Sequence, residues 1–179
     1  PGVSIISTGS SIVKPQINGL HSSRVLLINN NVKMEDHEWG IDHAPSIDIN
    51  SIEKISLIKG AGALKYGGSA LGGVIISETL KTKLIDSLYG KLYSSASTNG
   101  KGGTITTDIT KTNSKGWYTR FQGTFKRFGD YNTSNYIMSN TGLSEKNFSL
   151  KTGLNRIDYG FEVYYSFFNN ETGILRASH

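Results

Sequence analysis

Cysteine is absent from this chain of 179 residues, proline occurs three times, and Asp and Glu together number 14 against 19 Lys and Arg. Without cysteine there is neither a disulfide framework nor a thiolate metal site, and the redox compartment is left undecided. Scarce proline beside 21 Gly, 9 Tyr and 7 Phe disfavours a helical bundle and points to β-structure with many tight turns. No run of about 18 apolar residues occurs, so a transmembrane helix is excluded, whereas a barrel strand needs only about 9–11 residues of alternating polarity. The net charge of +5 raises nucleic-acid binding, which requires a basic face or a recognisable motif. Here the lysines are scattered. The densest group, Lys81, Lys83 and Lys91, suits a periplasmic surface or lipid headgroups, and no nucleic-acid partner is expected.

The chain opens on Pro1 without an initiator Met or a leader, and Gly173 to His179 ends without a turn or cap. Both ends read as cut from something longer. A division falls near Thr79 to Ser87. Ahead of it, short apolar runs (Val25 to Ile28, Ile52 to Ile58, Val74 to Ile76) are separated by Gly, Asn and Asp, as in a compact mixed α/β unit. Beyond it, period-two alternation takes over. Trp117, Thr119, Phe121, Gly123 and Phe125 fall on one face, with Tyr118, Arg120, Gln122, Thr124 and Lys126 on the other, because successive strand side chains point to opposite sides. The same split recurs around Tyr159 to Phe168, Asn147 to Asn155, Thr104 to Thr110 and, more weakly, Leu88 to Ser97.

Alternation alone fits a soluble sandwich as well as a membrane barrel. Links at Thr112 to Gly116 and Arg156 to Asp158 are short and the one from Gly129 to Lys146 is long, as in barrels with short periplasmic turns and longer outer loops; the short link at Asn99 to Gly103 breaks the rule. Trp117, Tyr159 and Phe167 suit interfacial aromatic girdles.

A series of short motifs tips the balance. Pro1-Gly2-Val3, Ile17-Asn18-Gly19-Leu20, Arg24 to Ile28, Asn31-Val32, Ile52-Glu53-Lys54-Ile55, Lys59-Gly60, Leu64 with Tyr66-Gly67, and Ala70 to Ile75 stand in that order. In order and spacing they resemble the plug domain of TonB-dependent outer-membrane receptors, over most of Pro1 to Thr79, and the remainder is similar in style to the first barrel strands. The resemblance implies a mainly β fold: plug 1–79, linker 80–87 and barrel strands 88–179, the barrel incomplete. Lys59 stands where the family has Arg, Ala61-Gly62 replaces its Pro and neighbour, Lys65 takes an uncharged position and Ser77-Glu78 interrupts its ending. Exchanging Arg for Lys loses the bidentate fork, so no plug-to-barrel ion pair is carried over.

Under this reading Gly60, Gly67, Gly72 and Gly73 are structural, serving sharp turns and close backbone approach. The competing reading, a phosphate-cradling loop after a strand, fails because Lys65 stands where the third dinucleotide glycine belongs and no G-x-x-x-x-G-K-[ST] string occurs. His21 lies beside Ser22 and Ser23, but adjacency is not triad geometry, and no enzyme is expected.

The segment Met34 to Asp48 gathers Glu35, Asp36, His37, Glu38, Asp42, His43 and Asp48. Carboxylates around two imidazoles suit a divalent metal or a metal chelate. With His37 and His43 six apart this is no zinc-protease motif. In the family the corresponding plug loop meets ligand, and Trp39-Gly40 with Asp42-His43-Ala44-Pro45 look like a branch associated with metal or chelate uptake. His37, Glu38, Trp39, Asp42 and His43 are therefore the candidate substrate contacts, with Asp36, His37 and His43 as candidate metal ligands. A solvated acidic loop with hydrogen-bonded histidines is the competing reading. No cofactor is required, a metal ion or chelate being cargo.

The resemblance implies an outer-membrane location, contact with outer-membrane lipid, a small-molecule or metal-chelate substrate, and energy from the inner-membrane TonB complex through a segment outside this chain. Loop residues around Asp130 to Gly142 would help hold the ligand. Without the segment that recruits TonB the chain alone should not transport, and five strands leave two unpaired edges, so it should not insert stably either. A passive porin-like protein and a soluble β-rich binding domain remain as alternatives.

Overall fold

In the computed structural model, residues 2–8, 12–38, 45–79 and 85–174 are described, Ile12 and His37 by their backbone alone. The chain divides into two units, Pro1–Leu80 and Lys81–His179.

The first unit is organised by the run Val25–Asn29. It has four apolar residues in succession because both its faces are covered. In chain order the unit's strands are β1 (Val3–Thr8), β2 (Ile12–Ile17), β3 (Val25–Asn29), β4 (Val32–Met34), β5 (Lys54–Ile58) and β6 (Gly73–Glu78). β1 and β2 form an antiparallel hairpin; the others form one sheet in the order β4-β3-β6-β5, in which β3 and β6 run parallel. Leu26 and Val74 pack with Ala63 and Ala70 on one face, while Val25, Leu27 and Ile17 pack together on the other. The helical part consists, among the described residues, of 3-10 turns, at 22–24, 36–38, 49–51, 60–66 and 68–70.

Turn chemistry holds this sheet in register. Asn30 and Asn31 both take positive φ, 47° and 66°, which gives the twist a tight β3–β4 hairpin needs. Asn30 Oδ1 then accepts from the backbone N–H and the hydroxyl of Thr79, at 3.1 and 3.0 Å, tying the hairpin to the end of β6. At the entry to β6, Gly72 N donates to Arg24 O at 2.7 Å, and a Cβ on Gly72 would lie 2.9 Å from that oxygen. Gly73 has φ 138° and approaches Ile58 O equally closely. A side chain at either position would force β3, β5 and β6 apart.

The second unit is an up-and-down antiparallel sheet of five long strands. β7 (Ser87–Ser97), β8 (Gly102–Thr112) and β9 (Trp117–Phe128) are followed by a two-residue pair, β10 (Tyr131–Asn132) and β11 (Ile137–Met138), and then by β12 (Leu143–Asn155) and β13 (Gly160–Thr172). The sheet order is β13-β12-β9-β8-β7, each strand beside its neighbour in the sequence once the small pair is set aside.

Its two faces are inverted relative to a soluble protein. Phe121 and Phe125 are 45% and 44% exposed, whereas Gln122 and Thr124, between and beside them, are 2% and 4%. Ile105, Ile109, Phe148, Phe161, Val163 and Phe167 share the exposed face by register, and Phe148 stacks on Phe167 with ring centroids 5.2 Å apart. The shielded face carries a polar ladder. Arg120 Nε meets both Asp108 oxygens at 3.0 and 3.1 Å, Thr106 meets Thr124 at 3.0 Å, Lys126 meets Glu145 at 2.8 Å, and Glu162 takes both Lys151 and the Tyr118 hydroxyl. A sandwich would bury the aromatics and wet the ladder. Apolar out and polar in is the pattern of a barrel wall, so the soluble alternative is set aside.

Three local expectations change. The link after β9 ends at Gly142, not Lys146, because Glu145 turns to the shielded side to pair with Lys126 and so continues the alternation through polar residues. Lys91 stands opposite Asp108 midway along β7, away from any headgroup level, and Lys81 and Lys83 lie outside the described residues. Phe167 belongs to the middle of the apolar band because β13 runs on to Thr172.

The Arg120–Asp108 pair gives a direct check. Arg120→Ala should lower stability by about 3–5 kcal/mol by leaving a shielded carboxylate uncompensated, and Arg120→Gln with Asp108→Asn together should cost much less. Denaturant unfolding of the full-length protein in detergent measures both; equal losses would contradict the pairing.

Candidate ligand-binding site

The acidic segment between β4 and β5 is a loop closed at its base. Asp36 opens a one-turn 3-10 helix, Asp36–Glu38, and its Oδ2 accepts from the backbone N–H of Ser46, ten residues on. Its Oδ1 is buried and has no hydrogen-bond partner among the described residues. A buried carboxylate oxygen left without a donor is an available ligand for a cation. Glu38 is half-buried beside it in sequence, its N–H bonded to Glu35 O at 3.0 Å.

Two neighbouring carboxylates are already committed. Glu35 accepts from Lys33 Nζ at 2.7 Å, which holds the Glu35 carboxyl below its usual range and raises Lys33. Asp48 accepts from Asn50 N at 3.0 Å and so caps the turn Ile49–Ser51. The spacing of acids along the segment did not separate these structural carboxylates from Asp36. Of the candidate contacts, Trp39, Asp42, His43 and the side chain of His37 lie outside the described residues. Among the described residues no group of three or more metal-ligating side chains forms. His21 Nδ1 lies 3.1 Å from the hydroxyl of Ser22, in an exposed position.

The long link of the second unit is also ordered from within. Asp130 Oδ1 accepts from the N–H groups of Thr141 and Gly142 at 2.8 and 2.9 Å, and Tyr131 N donates to the Thr141 hydroxyl at 2.8 Å. Asn99, in the turn before β8, clamps the same link from the side: its Nδ2 donates to Asn132 O at 3.0 Å and its Oδ1 accepts from Asn132 N at 2.7 Å. The loop is thus built as a preformed surface, with Tyr136 and Ile137 exposed at its tip. A carboxylate eleven residues from the amide it caps leaves no local sequence signal.

Known proteins share both units. Residues 1–74 match the family model of the TonB-dependent receptor plug domain. The vitamin B12 transporter BtuB of Photobacterium profundum is 33% identical over 76 residues, which are 42% of this chain and 12% of that protein. Among solved structures, the copper transporter OprC superposes with a TM-score of 0.81 at 22% identity, over 97% of this chain and 27% of its own. The FrpB iron transporter from Neisseria meningitidis follows with a TM-score of 0.63 at 15% identity, over 88% and 25%. At these identities the two structures speak to fold alone, and this chain spans a minor part of every one of these relatives.

Asp130 offers a test by pH. Its carboxyl is held below the ordinary 3.8, chiefly by the Thr141 backbone N–H, which together with Asn140, Gly142 and the Thr141 hydroxyl outweighs partial desolvation. A depressed folded value means that the capping contribution is complete above 3.8 and is lost as pH falls through the lowered value. Hydrogen-exchange protection of Thr141 and Gly142 should therefore hold at neutral pH and fall away in acid, and Asp130→Ala should remove it throughout.

Proposed function

We propose that the chain is a piece of a TonB-dependent receptor, residues 1–74 matching the plug-domain family model and the long strands after them sharing the fold of a solved outer-membrane transporter, and that the protein imports a scarce nutrient, as a metal ion or metal chelate, across the outer membrane. The observation that carries the cargo class is Asp36. Its Ser46 bond pins a loop whose span holds His37, Glu38, Asp42 and His43, while its second oxygen remains without a donor among the described residues. Imidazole nitrogens and carboxylate oxygens together form a donor set for borderline divalent cations and for metals presented in a chelate. Trp39 adds a flat apolar surface suited to a planar ligand.

In this reading Asp36, His37 and His43 take the metal, and Glu38, Trp39 and Asp42 contact the remainder of the substrate. The vitamin B12 transporter, similar in sequence over 76 residues, supports a metal-centred ligand as the class. Import against a gradient through a plugged barrel needs work on the plug, supplied by the TonB complex of the inner membrane. A passive porin-like role finds less support, since a plug domain obstructs the lumen that passive diffusion requires.

Isothermal titration of the full-length receptor with zinc, copper(II), haem and a ferric chelate tests the cargo class. We expect saturable binding of at least one, weakened about tenfold or more in His37→Ala/His43→Ala, and falling as pH drops through about 6.5, where free imidazoles protonate. Unchanged binding in the double variant would remove the site.

A further inference from the structure

The apolar face of the second unit is interrupted near one end of the sheet. Small residues there, Ser94 and Ala96 on β7 and Gly103 on β8, leave a groove of about 430 Å³ walled by Ile105 and Phe125 and closed at its upper end by Arg127. Gly103 cannot carry a larger side chain, because a Cβ would lie 2.5 Å from Ser95 O. A second depression, of about 690 Å³, begins at the same Arg127 and continues between the turn at Gly100-Lys101 and the link at Asp130 and Asn132. Arg127 is therefore shared. Below it the lining is mainly apolar, with hydroxyls of Ser94, Ser95 and Thr104 among it, and above it Lys101, Asn132 and Asp130 stand beside Phe128 and Ile137.

Three basic residues gather around this junction, and Asp130 is, among the described residues, the one carboxylate in its lining. Lys101 stands in the turn, and Lys146 on β12 shares Arg127's face by register, one step lower along the neighbouring strand. All three are exposed, and among the described residues none has a carboxylate partner. The nearby Asp130 is turned into its own loop as an acceptor for Thr141 and Gly142, and Glu145 points to the opposite face toward Lys126. Glu171 is the nearest acidic residue on the same face, opposite Ser144 on β13, two strands away from Arg127.

We infer that this junction binds a phosphorylated lipid of the outer leaflet, an acyl chain lying in the groove over Gly103 and a headgroup phosphate held by Arg127 and Lys101. The end of the sheet is the right one. It carries the long link 129–142, whereas the opposite end has only the short turns 113–116 and 156–159, and longer loops mark the outward side of an outer-membrane barrel. Guanidinium with ammonium suits a phosphate monoester or diester, and an apolar trough directly beneath selects an amphiphile over a free anion. The inference rests on the barrel reading of these strands.

The test uses the delipidated full-length receptor in detergent, with native mass spectrometry reading bound lipid. Two probes are offered, a bisphosphorylated lipid A and its dephosphorylated form with the same acyl chains. The phosphorylated form should bind preferentially. Arg127→Gln/Lys101→Gln should weaken it roughly 30-fold, about fivefold per cation, and abolish the preference. Ala96→Phe, an exposed change on β7 that fills the groove and leaves the cations, should weaken both lipids. Equal binding of the two lipids, an unaffected double variant, or displacement by inorganic phosphate alone would overturn the site. Heat-modifiable electrophoretic mobility separates the failures: a protein lacking it has lost the barrel, whereas one that shows it and ignores the phosphate refutes only the lipid site.

Discussion

Backbone and charge in the second unit are arranged for a solvent that offers no hydrogen bonds on one side. A strand in hydrocarbon must have its N–H and C=O groups taken by its neighbours, because each one left open costs several kcal/mol. The uninterrupted antiparallel ladders from β7 to β13 meet this demand in the interior of the sheet. The same constraint drives the side chains apart. Rings and branched aliphatics occupy the exposed face, while Asp108–Arg120, Lys126–Glu145 and Lys151–Glu162 occupy the shielded one, where each charge has its counterion.

The first unit answers a different problem. Its central strands β3 and β6 are parallel and covered on both sides, and the link between them runs through β4, β5 and, among the described residues, four 3-10 elements. Backbone therefore passes close to backbone, as at Gly72 and Arg24, and small residues such as Ala63 and Ala70 complete the packing. What such a unit can present to a ligand is its loops. In the segment after β4, one carboxylate, Asp36, joins residue 36 to residue 46.

Both ends of this organisation were legible to different degrees. Period-two alternation identified the strands because hydrocarbon and a polar interior impose opposite chemistry on successive residues, and Phe121 against Gln122 shows the rule at its plainest. It failed at Leu143 to Lys146, where Ser144, Glu145 and Lys146 are all polar: Glu145 turns to the shielded face and Lys146 to the exposed one, so the alternation is real but invisible to hydropathy. The loop acids were legible as a cluster and illegible as individuals. Glu35 and Asp48 are spent on Lys33 and on a helical cap, and only their partners' positions reveal it.

The order of short motifs from Pro1 to Ile75, through its resemblance to a known plug domain, and the alternation beyond Ser87 indicated a plug portion followed by long amphipathic strands, since both patterns are local in the chain. Which face of the strands is shielded, which carboxylate among the described residues of the acidic loop keeps an oxygen without a partner, and which basic side chains gather above the groove were decided only in three dimensions. Those properties depend on strand register and on which partner each group meets in space. Neither hydropathy nor spacing contains them until the ladder hydrogen bonds have fixed who stands beside whom.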